Sequence, residues 1–472
     1  MDDASQRVTR EDLLLFVNAC FASTGQREFY ADGQGEGISI EFLHRYILGN
    51  YRRLYARVLA CGVNHMNQAL IVQNLLASGR DATAEDRSEE NRLITQALRA
   101  LPTHRAMHLL AGLCARGVNN RRTRAITKAF LARPERVEFL AVKYRRAFRR
   151  SALHMHLPLS GELAPFLLRG WKERQFTTAL FESFRQAHYK RAAIYDLPFS
   201  VAEGLAAKLG VPRAQFLARI DGRLTQNERL RLQGASDEAL GESYDIDWSR
   251  QSPTRVASYV LSLAREQRKA RRDELREALH RSAGRAARAS GVRFGRVACV
   301  LDRSASSQGS SEKRRRPLAV ALAVSALLQA ASERVTVHWT PSDDEPDDLL
   351  VVPRGATDLV TPLLAALREQ PDLLLVVSDG HDNDPPGCAG QVLAAAQRLF
   401  PACFMLHLNP VYDAGGFAPK RLCEQVPTIG IRDAEDTPTL VAFARFAHGT
   451  ASLGELETHL EGRVRTFLGG SP

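Results

Sequence analysis

The chain has 472 residues, 44% hydrophobic and 25% charged, and a formal net charge of +11. These proportions exclude a disordered or fibrous polymer, and the length calls for two or three domains. No apolar run reaches the ~20 residues that cross a bilayer, the N-terminus lacks the apolar stretch of a secretory signal, and seven scattered cysteines without a C-x-x-C spacing argue for reduced thiols.

In chain order, residues 1–250 read as an all-helical domain. Apolar residues recur at three- and four-residue spacing over 41–48, 51–59, 68–76, 90–101, 107–114, 122–131, 136–148, 163–168, 176–187 and 201–209. Short connections and the lack of a constant period predict an irregular, HEAT-like helical array. Residues 251–292 form a basic linker, read as one long helix or two short ones. Its Arg265, Arg268, Lys269, Arg272 and Arg276 share one face.

From residue 293 to 472 the pattern alternates. Strands are predicted at 297–301, 334–340, 349–352, 372–377, 403–408 and 428–431, with helices at 316–331, 358–369, 389–399, 438–447 and 453–467. Continuous Val/Leu strands separated by amphipathic helices predict a doubly wound, mostly parallel α/β sheet covered on both faces. The fold class is therefore α plus α/β. Ligand sites of such sheets lie beyond the carboxyl ends of the strands.

Charge divides along the same boundary. Residues 293–472 hold 17 Lys and Arg against 22 Asp and Glu, a net of −5, so the first 292 residues carry a net of +16. Two basic clusters stand out there: Arg121, Arg122 and Arg124, and Lys143, Arg145, Arg146, Arg149 and Arg150, the latter interleaved with Tyr144 and Phe148. Such side chains contact phosphates and stack on unpaired bases. The plainer alternative is a solvated basic face over two core aromatics.

Three loops at strand ends carry oxygen donors: Asp302-Arg-Ser304-Ala-Ser306, then Thr357 at a helix start, then Ser378-Asp379-Gly380. Carboxylates and hydroxyls are the hard donors that Mg²⁺ or Mn²⁺ prefers. Asp-x-Ser-x-Ser, a later Thr and an Asp-Gly, in this order over residues 293–467, resemble the von Willebrand factor A domain with its metal-ion-dependent adhesion site. The resemblance implies that Ser304 and Ser306 ligate the metal through their hydroxyls. Asp302 and Asp379 would hold coordinated waters, and Thr357 would join when a ligand binds. It also implies an acidic partner whose carboxylate completes the octahedron. A phosphotransferase of the haloacid dehalogenase type would need a second Asp where Ser304 stands. His381, two residues beyond Asp379, reads as a loop histidine rather than a general base.

A helical N-terminal region joined to such a domain resembles the layout of Ro-type RNA-binding proteins. The leading expectation is a cytoplasmic, non-enzymatic scaffold that binds Mg²⁺ (or Mn²⁺), an acidic protein partner and structured RNA, with no membrane partner. The alternative is an adaptor of a bacterial MoxR-type AAA+ ATPase, whose helical half binds protein. An enzyme hidden in the helical half would need a nucleophile–base pair or a metal cluster, and none is visible.

Overall fold

The computed structural model describes residues 3–22, 36–133, 136–240, 244–311, 314–340, 347–411 and 419–469. The chain divides into two compact units. One comprises residues 1–67 together with 248–472; the other is the intervening segment, 68–247.

The first unit is organised by a five-stranded parallel sheet of β1 (Phe294–Asp302), β2 (Ser332–Thr340), β3 (Leu373–Val377), β4 (Phe404–Asn409) and β5 (Thr428–Gly430), in the order β2-β1-β3-β4-β5. Every residue of β3 is buried, which is why its sequence shows no polar alternation. Ala298, Val300, Leu374, Val376 and Met405 cluster with Leu359, Leu363, Ala389 and Leu393 from the helices after β2 and β3. On the helix Arg316–Ala331 nearly every side chain is buried. That helix follows β1, and the helices Pro253–Ser262 and Arg272–Ser290 pack against it.

The N-terminal helix Asp3–Ala22 packs against β5 and the helix Thr437–Ala447. Asn18 Oδ1 accepts a hydrogen bond from Gly430 N (2.9 Å), so an edge strand of only three residues is closed by a helix from the other end of the chain. His44 is fully buried nearby in sequence, its Nδ1 2.8 Å from the Tyr55 hydroxyl and its Nε2 3.0 Å from Asn67 Oδ1. Burial lowers its pKa from 6.5 to about 4. A depressed folded pKa means a contribution that is complete above pH 6.5 and is lost as the pH falls toward 4. We expect denaturant stability to drop by up to about 3 kcal/mol from this residue over that window, and His44→Gln to flatten the profile there.

Two expectations differ here. Residues 349–352 are not a strand: a 3₁₀ turn spans Asp348–Leu350, because Leu349 O and Val351 O both accept from Arg268 Nη1 (3.0 and 2.9 Å). Arg268 is accordingly buried. The linker makes three helices, Pro253–Ser262, Arg265–Ala270 and Arg272–Ser290. Extended backbone at Leu263 and Ala264 makes the first break, and Gln267 Oε1 accepts from Ala264 N (3.0 Å) to start the next helix. Removing the buried guanidinium by Arg268→Ala strands two carbonyls and leaves a hole. Urea denaturation should register a loss of about 3–5 kcal/mol.

The second unit contains helices and no strand among its described residues. Thr83 and Asn120 cap two of its helices, accepting from Asp86 N (3.1 Å) and Thr123 N (2.9 Å). Its centre includes Phe166 stacked on Phe181 with ring centroids 4.0 Å apart. The expected helix over 136–148 is two, Val137–Lys143 and Arg145–His154, broken at Tyr144 (φ −123°, ψ 33°). All seven cysteines are free. No helix among the described residues is long and apolar enough to cross a membrane.

Candidate metal centre and candidate nucleic-acid surface

The first and third oxygen-bearing loops leave the carboxyl ends of β1 and β3, and the second follows the 3₁₀ turn Asp348–Leu350. Ser304 N donates to Asp302 Oδ1 (2.7 Å), which turns the chain sharply at the strand end, and Ser307 Oγ donates to Ser304 O (2.7 Å). The turn brings Ser304 Oγ and Ser306 Oγ to 3.0 Å. Ala305 N donates to Gly355 O (3.1 Å) and Arg354 N to Arg303 O (2.8 Å), fastening the first loop to the second. Thr357 O in turn accepts from Asn383 N (3.3 Å) and Asp384 N (3.2 Å), fastening the second to the third. His407 Nε2 meets Ser378 O (3.0 Å) and its Nδ1 meets Thr428 Oγ1 (3.1 Å), bracing β3 against β4 and β5 just below the site.

Asp302, Ser304, Thr357 and Asp379 are each at most 5% exposed, and Ser306 is half-buried. Burial, and then the neighbouring Asp379 carboxylate, raise the Asp302 pKa to about 7. Two buried carboxylates that repel one another, with three hydroxyls on tied loops, form an all-oxygen donor set that fits a small divalent cation. Among the described residues no group of three or more His, Cys, Asp or Glu side chains offers an alternative metal cluster.

Two arginines that follow the first loop take structural parts. Arg315 Nη1 donates to Leu261 O, and Arg316 Nη2 donates to Arg432 O (2.8 Å) and Asp433 Oδ1 (2.5 Å). The loop histidine His381 lies with its Nδ1 2.9 Å from Lys420 Nζ.

In the second unit the eight basic candidates separate into two groups. Arg122 pairs with Glu90 (2.8 Å) and donates to Asn91 Oδ1 (2.7 Å), and Lys143 pairs with Glu228 (3.2 Å). Arg145 donates to Phe166 O and Leu167 O, both at 2.9 Å. Gly170, at φ +62°, makes room for that guanidinium; a Cβ there would lie 2.7 Å from Arg145 Cζ. These three hold helices together. Arg121, Arg124, Arg146, Arg149 and Arg150 are exposed. Phe148 is buried and Tyr144 half-buried, so the aromatics interleaved with the basic cluster belong to the packing rather than to a stacking surface.

A second aromatic group lies beyond the Gly170 turn, half-buried at Trp171 and His188 and exposed at Tyr189. Trp171 stacks on His188 (centroids 5.1 Å, 12°) and meets Tyr189 edge-on (6.2 Å, 70°). Tyr189 is 63% exposed. Lys172 Nζ lies 5.9 Å from the Trp171 ring, and Lys190 and Arg191 are exposed beside Tyr189. His188 Nδ1 lies 2.9 Å from Phe184 O, which fixes the ring. Partial burial lowers the His188 pKa, and the nearby cations Lys208 and Arg145 lower it further. His188 therefore feels the charge of Lys208 and of Arg145, the first residue of the helix Arg145–His154. Sequence reading missed Trp171, His188 and Tyr189. The available signal was the pairing of ring and cation in Trp171-Lys172 and His188-Tyr189-Lys190-Arg191.

No family model matches the chain, and no curated protein matches it. Among solved structures, the crystal structure of the Ro (RSR) protein of Deinococcus radiodurans is similar in fold. It is 14% identical, with a TM-score of 0.56, and the match covers 93% of this chain and 100% of that one. A likeness over nearly the full length of both chains supports a Ro-like layout: helices combined with a five-stranded parallel α/β sheet.

Proposed function

We propose that the protein is an RNA-binding scaffold whose α/β unit binds Mg²⁺ and, through it, an acidic partner. The observation that carries the RNA reading is that Arg146, Arg149 and Arg150 are exposed on one helix of the second unit, and that the same unit holds the Trp171, His188 and Tyr189 rings beside further cations. Arginines supply contacts to phosphate, and the exposed Tyr189 ring supplies a platform for an unpaired base, a combination suited to structured RNA with single-stranded ends. The Ro-like layout agrees with that use.

In the α/β unit, Asp302, Ser304, Ser306, Thr357 and Asp379 would hold the cation. Bound there, Mg²⁺ supplies a positive centre that attracts a carboxylate. The chain's own residues do the rest: the hydroxyls leave the site less negative than a carboxylate cage, and the hydrogen bonds among the three loops fix the donors in advance.

The direct test is what the purified chain carries. Protein isolated at low salt should show an absorbance excess near 260 nm that ribonuclease removes and deoxyribonuclease leaves. Nucleic-acid-free protein at low salt, with no shift of added RNA, would refute the RNA reading.

A further inference from the structure

The third oxygen-bearing loop has a basic neighbour placed by backbone contacts: Lys420 is held against it. Its carbonyl accepts from Asn409 Nδ2 (3.1 Å) and presses on Gly380, where a Cβ would lie 2.5 Å from Lys420 O. Gly380, at φ +80°, is the residue that permits this approach. The Lys420 side chain is exposed and reaches His381, Nζ to Nδ1 2.9 Å, while His381 N donates to Asp379 Oδ1 (3.0 Å). The ammonium group is thus two contacts away from a buried carboxylate of the site. The same loop also carries acidic groups: Asp358 and Asp384 both act on Asp382, and the Thr357 carbonyl accepts from Asp384 N.

We propose that Lys420 is a ligand-binding residue of this site: a carboxylate that places one oxygen at the cation gives its second oxygen to the Lys420 ammonium. This rests on the metal reading above. The carboxylates of Asp358, Asp382 and Asp384 repel a free carboxylate oxygen, whereas the Lys420 ammonium attracts it. Lys420 has the opposite effect on the cation itself, because a nearby positive charge weakens the binding of a bare divalent ion. A single substitution should therefore produce changes of opposite sign. A residue that only braces the loop would shift both affinities downward.

The experiment uses the full chain with Mn²⁺ as the probe metal, followed by water-proton relaxation. N-acetylglutamate methylamide is the probe carboxylate, and its entry displaces water from bound Mn²⁺. Lys420→Ala removes an exposed side chain and keeps the backbone contacts to Asn409 and Gly380. It should tighten Mn²⁺ alone by about two- to fivefold and weaken the carboxylate by about tenfold. Lys420→Arg should restore the carboxylate affinity. If wild-type protein does not bind Mn²⁺, the metal reading and this proposal fall together. If Mn²⁺ binds and Lys420→Ala leaves the carboxylate affinity unchanged, or lowers both affinities, the assignment of Lys420 is overturned and the metal reading stands. Preference of the wild-type site for inorganic phosphate over the carboxylate would likewise overturn it.

Discussion

Replacing Arg146, Arg149 and Arg150 together by Gln is expected to weaken RNA binding by about 50- to 100-fold near 0.1 M salt. The same variant should reduce the slope of log affinity against log salt by about 2–3, because each arginine that neutralises a phosphate releases roughly one counterion. All three side chains are exposed on the helix Arg145–His154, whose buried face is Phe148, Ser151 and Ala152. The substitutions should therefore leave the thermal midpoint within a degree or two. Arg145→Gln is the instructive contrast. It removes hydrogen bonds to Phe166 O and Leu167 O, so it should lower stability as well as affinity. Filter binding at several salt concentrations, alongside thermal unfolding, separates the two classes. Equal affinity and slope in the triple variant would place RNA, if bound at all, on another surface.

The second large effect concerns the metal. Mg²⁺ at about one hundred times its dissociation constant should stabilise the wild-type chain by roughly 2.7 kcal/mol, seen as a rise of a few degrees in the unfolding midpoint. Asp302→Asn should abolish that rise. Without Mg²⁺ the same substitution should leave the midpoint unchanged or raise it, because Asp302 and Asp379 repel one another while buried. The sign is the discriminating readout. A carboxylate retained only for packing or hydrogen bonding would cost stability when replaced, with or without metal. Asp302→Asn protein that still gains stability from Mg²⁺ would refute the assignment.

The parts of this molecule legible in sequence are those set by local periodicity. The helices Arg316–Ala331 and Leu453–Phe467 begin and end where the pattern of residues 316–331 and 453–467 predicts. β1, β3 and β4 follow from apolar runs too short for helices. Misreadings occur where a distant partner decides the conformation. Leu349 and Val351 read as a strand, yet their carbonyls are taken by Arg268, some eighty residues earlier. Arg268 reads only as one of five cations on a helix face, and its burial follows from the same contacts. Nothing in the sequence near Asn18 shows that its side chain will close β5 at Gly430. The contact is set by packing across the whole length of the chain.

The candidate sites divide in the same way. Asp302, Ser304 and Ser306 are legible because a strand end and an alternating polar loop place them within one short segment. Their union with Thr357 and Asp379 requires the parallel order of β1 and β3. The aromatic surface was not legible from Tyr144 and Phe148, which sit beside the arginines in sequence but turn inward. Trp171 follows the Gly170 turn that packs against Arg145, and it meets Tyr189 only through the fold.

The measurement that bears most directly on the scaffold reading is the salt dependence of RNA affinity for the intact wild-type chain, using a small stem-loop RNA with a single-stranded end. Tight binding is expected at 50 mM salt, with a slope of log affinity against log salt of about −4. Affinity that does not change with salt, or no binding at 50 mM, would overturn the scaffold reading.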